Sequence, residues 1–155
     1  MCDYSLMAVP NRLAREGEEL VTYRFPTGSL GMASPADVKR VAAPRPAIRR
    51  TLWQTLKEWF DPPPATAVCA VCIPPGARLE LWGIPSRLQQ QLGVGCTEEV
   101  VFTQLSANVN SYRDALRFSG GNEVRLQDLR EGMRVRVLDL TSAEEVQLRM
   151  EAEVR

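Results

Sequence analysis

Four cysteines carry the soft-metal and nucleophile chemistry open to this sequence, and two of them stand three residues apart in Cys69-Ala-Val-Cys72, with Cys2 and Cys96 elsewhere. Four thiolates are the complement of a tetrahedral zinc site, and a close pair of thiols can also cycle between dithiol and disulfide. The intervening Ala70 and Val71 suit a different role. Residues three apart on a strand point to opposite faces, and a chelating knuckle needs turn-forming residues that this stretch lacks. Thr66-Ala-Val-Cys-Ala-Val-Cys-Ile73 is a continuous apolar run of the length of a buried strand, in which reduced cysteines act as small core hydrophobes. Cys2 admits one more chemistry. Removal of Met1 would leave a thiol beside its own α-amine, the nucleophile and base of an N-terminal-cysteine hydrolase. Such hydrolases are larger layered α/β proteins, and this chain is dominated by short strands.

The other reactive residue types narrow the field. Histidine is absent from all 155 residues, which removes the commonest general base near neutral pH and the commonest metal ligand. Asp114, Glu123 and Asp128 cluster in one stretch, but carboxylates on a strand-rich surface are ordinarily solvated. Arg134 and Arg136 alternate along one strand and so share a face, where they read as part of a mixed, solvated surface with Asp128 and Glu131 nearby. Gly28 and Gly31 lack the following helix and lysine of a phosphate-cradling loop and read as turn residues. The 19 basic and 19 acidic residues cancel, which argues against a general nucleic-acid binder.

That balance is uneven along the chain. Residues 36–60 hold six basic against two acidic side chains, and residues 61–155 hold ten arginines against thirteen acids. The basic excess surrounds residues 47–60, the one stretch with clear helical periodicity. At roughly 100° per residue, Ile48, Leu52, Trp53, Leu56, Trp59 and Phe60 fall in an arc of about 140°, with Arg50, Lys57, Gln54, Glu58, Thr51 and Thr55 opposite and Arg49 at the apolar edge. Pro44 and Pro46 precede it and Asp61-Pro-Pro-Pro64 stops it. A helix of this length is marginal alone in water, so its apolar face must be buried, either on its own domain or on a partner. Trp and Arg dominate binding hot spots, and a helix laid in a groove reads through anchors at this spacing. The expected partner-binding residues are therefore Arg49, Arg50, Leu52, Trp53, Leu56, Lys57, Trp59 and Phe60. A protein partner is favoured over a membrane surface, because interfacial helices are richer in Lys and Arg, although peripheral contact with a membrane complex stays open.

The remaining segments must form the scaffold. Tyr4, Leu6 and Ala8 alternate with polar residues and predict a first strand, followed by a polar loop over 11–19. Residues 20–25 predict a strand with Val21, Tyr23 and Phe25 on one face, Pro26-Thr-Gly-Ser-Leu-Gly31 a turn, and 30–33 a short strand. Ser34-Pro-Ala-Asp37 starts a helical turn. After the apolar run, Pro74-Pro-Gly76 turns the chain into Arg78-Leu-Glu-Leu-Trp82, whose Leu79 and Leu81 face inward. Residues 85–93 predict a short helix with a serine N-cap and a glycine stop. A strand over 99–105, a hairpin at 115–126 turned by Ser119-Gly-Gly-Asn122, and a strand over 133–140 follow. Alternation of Val146, Leu148, Met150, Ala152 and Val154 predicts a last strand. Together these make a mainly β protein: a small single-domain barrel or sandwich of about eight or nine short strands, with residues 34–65 inserted as a proline-flanked excursion carrying the amphipathic helix, and one further short helix.

Met1-Cys-Asp-Tyr-Ser-Leu6 resembles the opening of an uncharacterised group of small bacterial proteins. Segments similar to Ala70-Val-Cys72 with Pro75-Gly76, and to Asp114-Ala-Leu116 with Phe118, occur in that group as well. Its pattern carries histidines where this chain has Asn110, Tyr112 and Arg113, and a shorter excursion than 34–65. If those histidines formed a metal site with Cys2 in relatives, this chain has lost the imidazole ligands. The group has no established activity, so the resemblance implies kinship and no function.

The N-terminus lacks the basic start and apolar run of a signal peptide, and no apolar run approaches the length that spans a bilayer. A cytoplasmic protein is expected, with reduced cysteines. The leading expectation is a non-enzymatic accessory or adaptor protein with no cofactor, docking on a larger complex through residues 47–60. The alternative is a zinc-like or redox thiolate site of Cys2, Cys69, Cys72 and Cys96.

Overall fold

A computed structural model describes residue 6 and residues 8–43, 67–106 and 111–141. Its strands are β1 (Asn11–Leu13), β2 (Glu19–Arg24), β3 (Leu30–Ala33), β4 (Ala70–Cys72), β5 (Arg78–Trp82), β6 (Thr97–Gln104), β7 (Asp114–Phe118), β8 (Glu123–Arg125) and β9 (Arg134–Asp139). Two helices, α1 (Pro35–Ala42) and α2 (Ser86–Leu92), and a 3-10 turn at Leu126–Asp128 complete it. The strands join in one sheet in the order β1-β4-β3-β2-β9-β5-β6-β7-β8, curled into a half-barrel. Every neighbouring pair is antiparallel except β1 and β4, which run parallel with Asn11 opposite Ala70 and Leu13 opposite Cys72. The expected mainly β architecture is therefore the one observed.

The period of two explains which residues fill the interior. Leu79 and Leu81 of β5, Val100 and Phe102 of β6, Leu116 and Phe118 of β7, and Val135 and Val137 of β9 are all buried and pack into one core. Leu20, Leu30 and Met32 bring β2 and β3 into the same core. Leu88 and Leu92 of α2, with Leu126 and Leu129 around the 3-10 turn, pack on it too. The glycine stop of α2 stands as expected, since Gly93 takes the left-handed conformation at φ 68 and its N–H returns to Gln89 O. The start differs. Ser86 is the first helical residue and Pro85 the cap, with no side-chain capping bond.

A second, smaller core forms on the other face of β2, β3 and β4. Phe25, Ala33, Val68, Ala70 and Leu6 are buried there, and Tyr23 and Val38 of α1 pack against them. Val21, Tyr23 and Phe25 do share a face, but it looks onto this satellite cluster, while Leu20 and Thr22 face the main core. The alternation of large and small residues in Leu30-Gly-Met-Ala33 follows from the same split. Leu30 and Met32 enter the main core, and Gly31 leaves room for Leu6 and Phe25 on the opposite side.

Three expectations shift. Of the strand expected over 4–8, Leu6 and Ala8 are described, and neither is in a strand; Leu6 instead plugs the satellite core, in a tight turn whose Val9 N–H donates to Leu6 O at 3.1 Å. The loop expected over 11–19 contains β1, which sequence pattern misses because Asn11-Arg-Leu13 is a three-residue exposed edge whose pairing depends on β4. The helical turn expected at Ser34 runs on as α1 for eight residues, with Pro35 at its start. The last strand expected over 146–154 lies outside the described residues.

Candidate functional site

The excursion between β3 and β4 begins and ends at one point of the sheet. Ala33 closes β3 and Ala70 opens β4, and these two are each other's antiparallel partners. Partners in such a ladder have Cα atoms roughly 4.5–5.5 Å apart, so the chain leaves and re-enters side by side. Its outgoing limb is α1, which has no buried residue and holds to the domain mainly through Val38. Arg40 Nη2 donates to Asp37 Oδ1 at 2.8 Å, and Ala43 N–H to Lys39 O at 3.0 Å, closing its last turn. Residues 47–60, and with them Arg49, Arg50, Leu52, Trp53, Leu56, Lys57, Trp59 and Phe60, lie outside the described residues.

The thiols fall into different surroundings. Cys69 is half-buried and Cys96 exposed, and both are free. Cys69 leads into β4 and Cys96 into β6, which stand five strand-to-strand steps apart in the sheet order. Cys72 is buried and disulfide-bonded, so the expectation of reduced thiols fails at this position. A bridge is set by the approach of two cysteines in the packed fold, which spacing along the chain does not report. Cys2 lies outside the described residues. Among the described residues, no group of three or more His, Cys, Asp or Glu side chains could hold a metal ion.

The carboxylates do not converge. Asp114 is buried and accepts a bond from Gln104 Nε2 at 3.1 Å. Glu123 accepts from Arg117 Nε at 2.8 Å, and Asp128 takes both Arg125 Nε and Nη2 at 2.9 and 3.3 Å. Arg134 and Arg136 share an outer face, and both guanidinium groups lie over the ring of Trp82, at 5.4 and 4.9 Å from its centroid. Trp82 is the cross-strand partner of Arg134, a register that sequence alone does not reveal. Arg136 also reaches Glu19 at 2.8 Å. That hydrogen bond holds the Glu19 carboxyl below its ordinary range. Nearby, Arg12 donates to Glu18 through both terminal guanidinium nitrogens, and the side-chain hydrogen bond lowers the Glu18 carboxyl while burial opposes it.

One cavity of about 390 Å³ lies between α2 and the 3-10 turn, lined by Pro85, Arg87, Leu88, Gln91, Asp128, Leu129 and Arg130. Sequence reading misses it because its two walls come from segments some forty positions apart.

These features define a class: a small, mainly β half-barrel whose interior is filled by side chains, with a helix-bearing excursion rooted at one ladder pair. Among the described residues no helix is long and apolar enough to cross a membrane. No protein-family model matches the chain, and no curated protein and no solved structure matches it either.

Proposed function

We propose that this protein is a non-enzymatic accessory or adaptor subunit, docking on a larger protein complex through the amphipathic segment 47–60. The observation that carries this reading is the Ala33–Ala70 pair at the root of the excursion. A segment whose ends meet in the ladder can be added or removed without shifting the register of any strand, as suits a docking device grafted on a scaffold. Loop-closure entropy grows only slowly with length, so an insertion of this size is tolerated at such a place. The chemistry of the segment fits the role: two tryptophans, a phenylalanine and leucines supply apolar anchors, and Arg49, Arg50 and Lys57 select an acidic rim. Each large apolar side chain buried on a partner contributes about 1.5–3 kcal/mol.

The test replaces residues 44–66 by a short Gly/Ser linker in the full chain. The variant should keep the circular dichroism and amide spectrum of the β domain, and it should lose the partner that the intact protein retains on purification from its native source. A synthetic peptide of 44–66 should displace that partner from the intact protein. Unfolding of the variant would mean that the segment completes its own core, and a partner that stays bound to a folded variant would place docking elsewhere; either outcome ends the proposal.

A further inference from the structure

The cavity between α2 and the 3-10 turn has a charge and shape that nothing in the adaptor role uses. Its apolar lining is Pro85 and Leu88 from one side and Leu129 from the other, and Leu129 is 5% exposed. Three charged side chains line it: Arg87, Arg130 and Asp128. Asp128 is already neutralised by the two-point contact with Arg125, at 2.9 and 3.3 Å. Arg87 and Arg130 have no carboxylate partner among the described residues, which leaves the cavity with an unbalanced pair of guanidinium groups. A guanidinium presents a planar fork of donors that matches carboxylate and phosphate oxygens.

The walls are held in place before any ligand arrives. Gln89 Nε2 donates to Ile84 O at 2.7 Å and ties α2 to the segment before it, and Gly93 stops the helix in the left-handed conformation. On the other side, Thr22 Oγ1 donates to Arg130 O at 2.7 Å, and Leu129 N–H donates to Leu126 O at 3.2 Å. Backbone fixed in this way lowers the ordering cost of binding. A volume of about 390 Å³ is at the small end of ligand sites.

We propose that this cavity binds a small organic oxyanion, a carboxylate or phosphate monoester carried on a short apolar body, with Arg87 and Arg130 clamping the oxygens and Leu88 and Leu129 covering the body. The inference is independent of the docking segment and stands or falls without it.

The test follows amide and arginine side-chain resonances of the isotopically labelled full chain during titration with hexanoate, hexyl phosphate and hexanol. Saturable shifts confined to 86–91 and 128–130 are expected for the anions and not for the alcohol. Binding by one anion alone would identify which headgroup the site takes. Arg87→Ala and Arg130→Ala, both at exposed positions, should each weaken binding about tenfold, the loss of one charge-assisted contact. Arg117→Ala, on the outer face of β7, should leave it unchanged. Should an alanine variant lose its native spectrum, Arg87→Lys and Arg130→Lys replace it and should weaken binding in the same direction, because an ammonium lacks the fork. Hexanol binding as well as hexanoate, or Arg117→Ala weakening binding as much as Arg130→Ala, would overturn the proposal. So would the lack of saturable shifts with either anion at about 10 mM, where even weak specific sites fill.

Discussion

Thr22→Val should destabilise the domain although it keeps the side chain's shape and adds apolar surface. Thr22 is 1% exposed on β2, and its hydroxyl donates to Arg130 O at 2.7 Å while accepting from Met133 N–H at 2.9 Å. Its backbone adds two more bonds to the same turn, Thr22 N–H to Met133 O at 2.9 Å and Gly132 N–H to Thr22 O at 2.8 Å. The valine methyl can neither donate nor accept, so the buried Met133 N–H and the partly buried Arg130 carbonyl lose their partner. A buried group left unsatisfied costs about 1–3 kcal/mol, and the new methyl returns less than about 1 kcal/mol. With water able to reach the Arg130 carbonyl in part, the net loss is about 2–3 kcal/mol, or roughly 4–12 °C in melting temperature for a domain of this size. Thr22→Ser keeps the hydroxyl and removes one methyl, at about 0.5–1.5 kcal/mol. Urea unfolding of the three proteins should give midpoints in the order wild type, serine, valine, with one common slope. If valine is as stable as serine, the hydroxyl does not hold the 130–133 turn, and the reasoning from buried hydrogen bonds fails here.

Gly31→Ala should cost about 1–3 kcal/mol by overpacking, since its Cβ would stand 2.6 Å from Leu6 Cδ1 and 3.0 Å from Phe25 Cε2. The cost should shrink in a Leu6→Ala background, and strictly additive unfolding energies in that double-mutant cycle would show that Leu6 does not plug the satellite core. Glu18 predicts a pH dependence of definite sign. Hydrogen bonding by Arg12, aided by the Arg15 N–H, lowers its folded pKa below the ordinary 4.5, so the stabilisation is full above 4.5 and is lost as pH falls below it toward the folded value. Comparing denaturant midpoints of wild type and Glu18→Gln over acid and neutral pH should show a gap that closes on the acid side; a gap that stays constant with pH would count against the pairing.

What the sequence discloses about this fold tracks the range of the interactions involved. Leu79 and Leu81 in β5, the hairpin of β7 and β8, and the Gly93 stop are local patterns, and each stands where its period or turn chemistry puts it. The shared face of Arg134 and Arg136 is equally local, yet its content is not: the ring between them belongs to Trp82, some fifty residues away, and only the β5–β9 register brings it there. Thr22 carries no local signal of its role, because the partner of its hydroxyl, Met133, lies 111 positions later. β1 is the extreme case. Asn11-Arg-Leu13 has neither strand propensity nor alternation, and it is a strand because β4 offers a free edge.

The same distinction separates the two candidate sites. The proposed docking segment is legible because its chemistry is written in one run of residues, and what the fold adds is the Ala33–Ala70 pair at which the excursion leaves and re-enters the ladder. The oxyanion cavity is illegible for the converse reason. Pro85, Arg87 and Leu88 read as an ordinary short helix, and Asp128, Leu129 and Arg130 as an ordinary turn. Their meaning changes only when packing sets them face to face and Arg125 removes the one acidic charge between them. Spacing is informative at Arg125 and Asp128, three residues apart, where a surface ion pair is the ordinary expectation. Such a pair contributes roughly 0–1 kcal/mol to stability. Its larger effect here is to decide the sign of the potential in the cavity beside it, so a contact that is minor for folding sets the class of ligand the cavity can take.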